Sequence, residues 1–134
     1  MAYIKIKHDV DPKQKIIDEI GDLSTIKLFN NEVLVGIYIR PNSTQLGGKN
    51  FYLANQTTDE DRYQSKVGLL LATGPNAFEP NEQGYFEGEV FTPNEDWLVF
   101  RSADGWPITI HGVLCRILKD GHVKMQVQDP SEAY

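Results

Sequence analysis

Lys66-Val67-Gly68-Leu69-Leu70-Leu71-Ala72-Thr73-Gly74-Pro75 is a nearly continuous apolar run closed by a Gly-Pro pair. It is too short for a membrane span and shows no 3.6-residue period. Bounded as it is by turn residues, it predicts a β-strand buried on both faces, over 66–73. Upstream, Val33 to Arg40 reads as a second apolar strand, stopped by Pro41. Downstream, Trp97 to Arg101 is a strand with Asp104-Gly105 as its turn. Pro107–His111 and Val113–Leu118 form a hairpin about Gly112, and Asp120-Gly121 leads into a last strand over 122–127. Asn76 to Gly84 is a loop, and Tyr85 to Phe91 alternates weakly. Short strands at regular spacing, separated by Gly, Pro and Asp turns, predict an all-β barrel or sandwich over residues 32–127.

Residues 1–31 read as an N-terminal arm. Tyr3 to Lys7 alternates as a short edge strand would. Asp11-Pro12 offers an N-cap followed by proline at the first helical position. Ile16, Ile17 and Ile20 mark one face and Gly21 is a natural stop, so a short helix is expected over 12–20. A helix this short is marginal alone and must dock on something. Residues 128–134 form a C-terminal tail.

Between the first two strands lies a polar stretch, Asn42 to Ser65. Within it stands one apolar cluster, Phe51-Tyr52-Leu53, just after Leu46-Gly47-Gly48-Lys49-Asn50. A connection this long, with no strand or helix pattern of its own, is characteristic of functional or disordered loops. The glycine pair frees the backbone. The cluster supplies something to bury, so Leu46, Gly47, Gly48, Phe51, Tyr52 and Leu53 are the candidate partner-binding residues. Such a tether suits capture by a groove on another protein. The alternative is a surface loop whose Phe51 and Leu53 fold back on their own core.

At 134 residues the chain suits one domain with a real core. Its net charge of -6 argues against nucleic acid and anionic membrane as partners, and no Lys/Arg cluster offsets it. The Asp59-Glu60-Asp61 run reads as a solvated loop tip. A single cysteine, Cys115, excludes an internal disulfide and a cysteine-based zinc site. Its neighbours Leu114 and Ile117 point to a buried, inert thiol. No signal peptide and no run of about 20 apolar residues is present, so the expected location is the cytoplasm of a host cell, or a virus particle.

Catalytic patterns are missing. His8, His111 and His122 have no metal-ligand spacing, no Gly-x-Ser-x-Gly occurs, and Gly47-Gly48 lacks the helix and Lys-Ser pair of a phosphate loop. Glu87 and Glu89 carry no weight as a carboxylate pair in so acidic a chain. Trp97, at the head of a strand, reads as core. Trp106, after Asp104-Gly105, reads as an exposed aromatic, part of an interface, or a lid over the barrel end. These features predict a non-enzymatic binding or assembly module, without metal or cofactor.

The order of the pieces resembles the chaperonin-10 family, the GroES-type co-chaperonins, from about Glu32 to Val127. Val33-Leu34-Val35 running to Arg40-Pro41 resembles the family's opening strand. Gly47-Gly48 before an apolar cluster resembles its mobile loop, and Val67 to Pro75 resembles its Gly-x-Val-x-Ala-x-Gly-x-Gly segment. Asn76 to Phe91 falls at its roof hairpin, Asp96-Trp97-Leu98-Val99-Phe100 resembles its Gly-Asp-x-Val-x-Phe strand, and Val113 to Val127 its closing strands. The chain departs where Lys49-Asn50 separates glycines from anchor and where the anchor is aromatic. Divergent members of this kind resemble those carried by tailed bacteriophages. The resemblance implies a GroES-like partly open β-barrel with a short N-terminal helix and a long mobile-type loop, in a homo-oligomer. It implies a co-chaperonin lid docking on a chaperonin through residues 43–65, or a virion structural protein (capsid decoration or a head-tail part) using the same barrel as scaffold.

Overall fold

The computed structural model describes residues 11–39, 43–46, 49–52, 65–79, 86 and 88–132, the second and third of these spans by backbone alone. The alternating segment at 3–7 lies outside them. The described residues contain eight strands: β1 (Glu32–Ile37), β2 (Ser43–Leu46), β3 (Lys49–Tyr52), β4 (Val67–Thr73), β5 (Trp97–Val99), β6 (Trp106–Ile110), β7 (Val113–Lys119) and β8 (Met125–Val127). Six of them form one antiparallel sheet in the order β6-β7-β1-β4-β5-β8, with β6 and β8 at its edges. With one α-helix among the described residues, the short α1 (Pro12–Ile20), the protein is all-β in class.

The strands at the centre, β1 and β4, are the two most continuously apolar ones, as a doubly covered strand requires. Period-two alternation sorts their side chains. Leu34 and Tyr38, Val67, Leu69 and Leu71, Trp97, Val113 and Cys115 share one buried cluster with Ile16 and Ile20 of α1. Val33, Val35 and Ile37, Leu70, Leu98, Phe100 and Leu118 form a second cluster on the other face, covered by Ala77, Phe78, Phe91 and Val123. One irregularity interrupts the pattern. Val35 pairs with Leu70 and Leu34 with Ala72, so Leu71 is an extra residue in β4. This bulge puts the consecutive residues Leu71 and Ala72 on the helix-covered face.

Helix α1 forms as its termini dictate. The Asp11 side chain accepts a hydrogen bond from the Lys13 amide, proline stands in the first turn, and Gly21 ends the helix at φ 66° with its N–H on the Ile17 carbonyl. Burying Ile16 and Ile20 is worth up to about 1.5–3 kcal/mol each, and this holds the helix where propensity alone would not. The seat is Gly36: a Cβ there would stand 2.8 Å from Ile16 Cγ2 and 3.2 Å from Leu71 Cδ1. The β6–β7 hairpin turns through His111 (φ 50°) and Gly112 (φ 81°), a two-residue turn whose twist matches its strands. From that turn His111 Nδ1 donates to the Ile20 carbonyl and ties the hairpin to the end of α1.

Several elements differ from the sequence reading. The last strand begins at Met125, because Asp120–His122 is a turn of 3-10 helix. Residues 86 and 88–91 contain no strand: turns at Phe86 and Gly88 break the weak alternation. In the tail, Pro130–Glu132 forms a second 3-10 turn with Pro130 and Ser131 buried. The polar stretch after β1 contains a hairpin.

Candidate functional site

That hairpin, β2–β3, is the candidate arm. Its register runs Ser43↔Tyr52, Thr44↔Phe51, Gln45↔Asn50 and Leu46↔Lys49, and neither strand joins the six-stranded sheet. Two residues separate Leu46 from Lys49, the shortest common hairpin connection, so a glycine pair there is a turn signal as well as a source of freedom. Of the candidate residues, Leu46, Phe51 and Tyr52 lie on the hairpin. Gly47, Gly48 and Leu53 fall outside the described residues. Phe51 and Tyr52 sit at its base, two strand positions or more from the turn, whereas the sequence reading put them on a structureless tether.

The roots of the arm are fixed side by side because β1 and β4 are sheet neighbours. The Tyr38 amide donates to the Val67 carbonyl at 3.0 Å. The buried Ser65 hydroxyl lies 3.1 Å from the Tyr38 carbonyl oxygen. Tyr38 itself packs edge-on to Trp97, 5.7 Å between centroids.

A second exposed apolar feature lies on edge strand β6. Trp106 is 78% exposed and Ile108 40%, both on the helix-covered face of the sheet but beyond its cover. Pro107 lies between them, opposite Arg116. Because Ile110 and Val113 flank the turn as a hydrogen-bonded pair, Pro107 falls at a position whose main chain turns outward. Its missing N–H therefore costs the sheet nothing. Met125, 48% exposed, marks the opposite edge.

Among the described residues the buried charges, Asp104 and Arg116, lie at one corner of the fold. Arg101 grips Asp104 with two hydrogen bonds, Nε to Oδ2 at 3.1 Å and a terminal nitrogen to Oδ1 at 3.0 Å. Those bonds hold the Asp104 carboxyl below the usual carboxylate range and raise the Arg101 guanidinium. Buried Arg116 lies over the Phe100 ring at 5.5 Å and donates to the Ser102 carbonyl at 2.8 Å. Burial lowers its pKa, and the Asp104 charge opposes that shift. The arrangement fastens the 101–106 turn.

Sequence reasoning missed a cluster of three rings. Phe78 stacks on Phe91 at 4.0 Å, and Phe86 meets both edge-on at 5.2 and 5.7 Å. Phe78 (φ 61°) and Phe86 (φ 63°) adopt left-handed backbone, which is uncommon for a bulky residue. Asp120 helps hold the first: its carboxylate accepts from the Phe78 amide at 3.0 Å and from Asn31 Nδ2 at 2.9 Å.

Among the described residues no group of three or more His, Cys, Asp or Glu side chains could hold a metal ion. Nor is any helix among them long and apolar enough to cross a membrane. Cys115 is fully buried and its thiol is pushed up to about 11 by burial, the opposite of a nucleophile's environment. The chain matches no protein-family model and no curated protein sequence.

Proposed function

We propose that this protein is a GroES-like, non-enzymatic assembly subunit: a phage-type co-chaperonin lid that docks on a chaperonin through the 43–65 segment. In this reading the six-stranded sheet belongs to a partly open barrel, copies associate into a ring, and each copy offers one arm. Several weak anchors acting together give avidity without tight single contacts. The observation that carries the reading is the β2–β3 hairpin, which pairs with no other described strand and belongs to the segment joining two adjacent, firmly bonded strands at the centre of the sheet. Phe51 at its base and the neighbouring Leu53 are the anchor.

The test is capture of the assembled protein by a chaperonin. Phe51→Asp and Leu53→Asp abolish capture while the native mass of the assembly stays that of the parent. Capture undiminished in both variants removes the reading.

A virion structural role is the second reading, favoured by the exposed Trp106 and Ile108 strip, which offers a fixed apolar contact unrelated to the arm. Mass spectrometry of purified virions separates the two. A stoichiometric component supports decoration, and absence excludes it.

A further inference from the structure

Helix α1 crosses the sheet. Its end is tied to the β6–β7 turn by the His111 bond to the Ile20 carbonyl. Its start lies at the opposite edge, where Asp11 and Pro12 share a shallow depression with Trp97, Gln128 and Asp129. The chain that precedes Asp11 therefore arrives beside the end of β8.

Among the described residues β8 has a strand on one side only. Its main-chain direction follows from its neighbours. Across the β4–β5 pair, Leu70 donates to the Asp96 carbonyl and Phe100 to the Lys66 carbonyl, so Leu98, midway between Asp96 and Phe100, also turns to β4. Trp97 and Val99 then turn to β8, where Val127 and Met125 answer them. Gln126 is left with its N–H and C=O pointing off the sheet. Met125 and Val127 lie on the helix-covered face with their partners Val99 and Trp97, and Met125 is 48% exposed.

We propose that residues 3–7 of the same chain dock on this edge as an outer strand. Reach selects that occupant first. With only residues 8–10 between them, Lys7 stays within about 14 Å of Asp11. The other open edge, β6, stands five strand spacings from β8, about 24 Å. Pattern agrees: Tyr3-Ile4-Lys5-Ile6-Lys7 alternates, so Ile4 and Ile6 can lie beside the uncovered Met125 while the lysines take the other face. Charge agrees too. Glu95 and Asp96 share a depression with Gln126, Gln128 and one cation, Lys13, and two carboxylates there suit Lys5 and Lys7. An outer strand would guard this border of the sheet. The inference rests on neither the arm nor a ring.

The test is amide hydrogen exchange on the full-length protein. The Gln126 amide, which would exchange freely on an open edge, should be slowed about tenfold or more. The double variant Ile4→Asp/Ile6→Asp should release it by the same factor, while the Ile16 and Ile20 amides keep their rates. In the parent chain, NOEs should join the Ile4 or Ile6 methyls to the Met125 methyl. In an equal mixture of 13C-labelled and unlabelled copies, none should pass between copies. A freely exchanging Gln126 amide in the parent or protection that survives in the variant overturns the proposal. So do NOEs between copies, which would give the edge to the segment of a neighbouring molecule.

Discussion

On one face of the sheet Ile16 of α1 rests on the bare backbone of Gly36; on the other, Val35 closes over Gly68, where a Cβ would stand 2.8 Å from Val35 Cγ2. Both faces carry a buried apolar cluster, but their covers differ. The first is a capped helix with a hydrophobic stripe. The second is drawn from three loops, which contribute Ala77 and Phe78, Phe91, and Val123. Regular cover is specified locally, by spacing and caps. Irregular cover is specified by contacts that exist only once distant segments meet, such as the two bonds from Asp120 to residues 31 and 78.

If the two covers are equally integral, truncating the largest buried ring on each side costs alike. Trp97→Ala on the helix-covered face and Phe100→Ala on the loop-covered face should each remove about 3–5 kcal/mol in urea unfolding. A loss below about 1 kcal/mol for Phe100→Ala would mark the loop cover as peripheral. Gly36→Ala is the next largest effect, about 2 kcal/mol, because the added methyl overpacks Ile16 and Leu71. Combining it with Ile16→Ala, which makes room, should cost less than the two single losses together; strict additivity would show that α1 does not sit where described. Asp120→Ala is the smallest, about 1 kcal/mol, by removing an acceptor from half-buried donors. Its signature is regional: hydrogen exchange should quicken at Phe78 and leave the Ile16 and Ile20 amides unchanged.

The same contrast explains what was legible in the sequence. Helix α1, with Asp11, Pro12 and Gly21 as punctuation, was legible to the residue. β4, from its apolar run, and the β6–β7 hairpin about Gly112 were legible to within one residue at their ends. The class, all-β with one short helix, followed from them. The Phe78, Phe86 and Phe91 cluster was not legible, because nothing in the spacing of three phenylalanines says that their loops converge. The β4 bulge was hidden for a similar reason: an uninterrupted run of leucines carries no mark of where the alternation slips. The β2–β3 hairpin left a trace in Gly47-Gly48 between Thr44-Gln45-Leu46 and Lys49-Asn50-Phe51. Polar composition masked the strands on either side. Trp106 was flagged as a candidate for exposure, and its place on an edge strand supplies the reason.

Pro107 has a consequence for the behaviour of the purified protein. A bare border strand carrying tryptophan and isoleucine is the sort of surface on which one molecule templates the next into fibrils. A residue that offers no donor halfway along that border spoils the template. Copies can touch there through side chains, but endless stacking through the backbone is blocked. Pro107→Thr should therefore shorten the lag before thioflavin-positive aggregates form in concentrated solution.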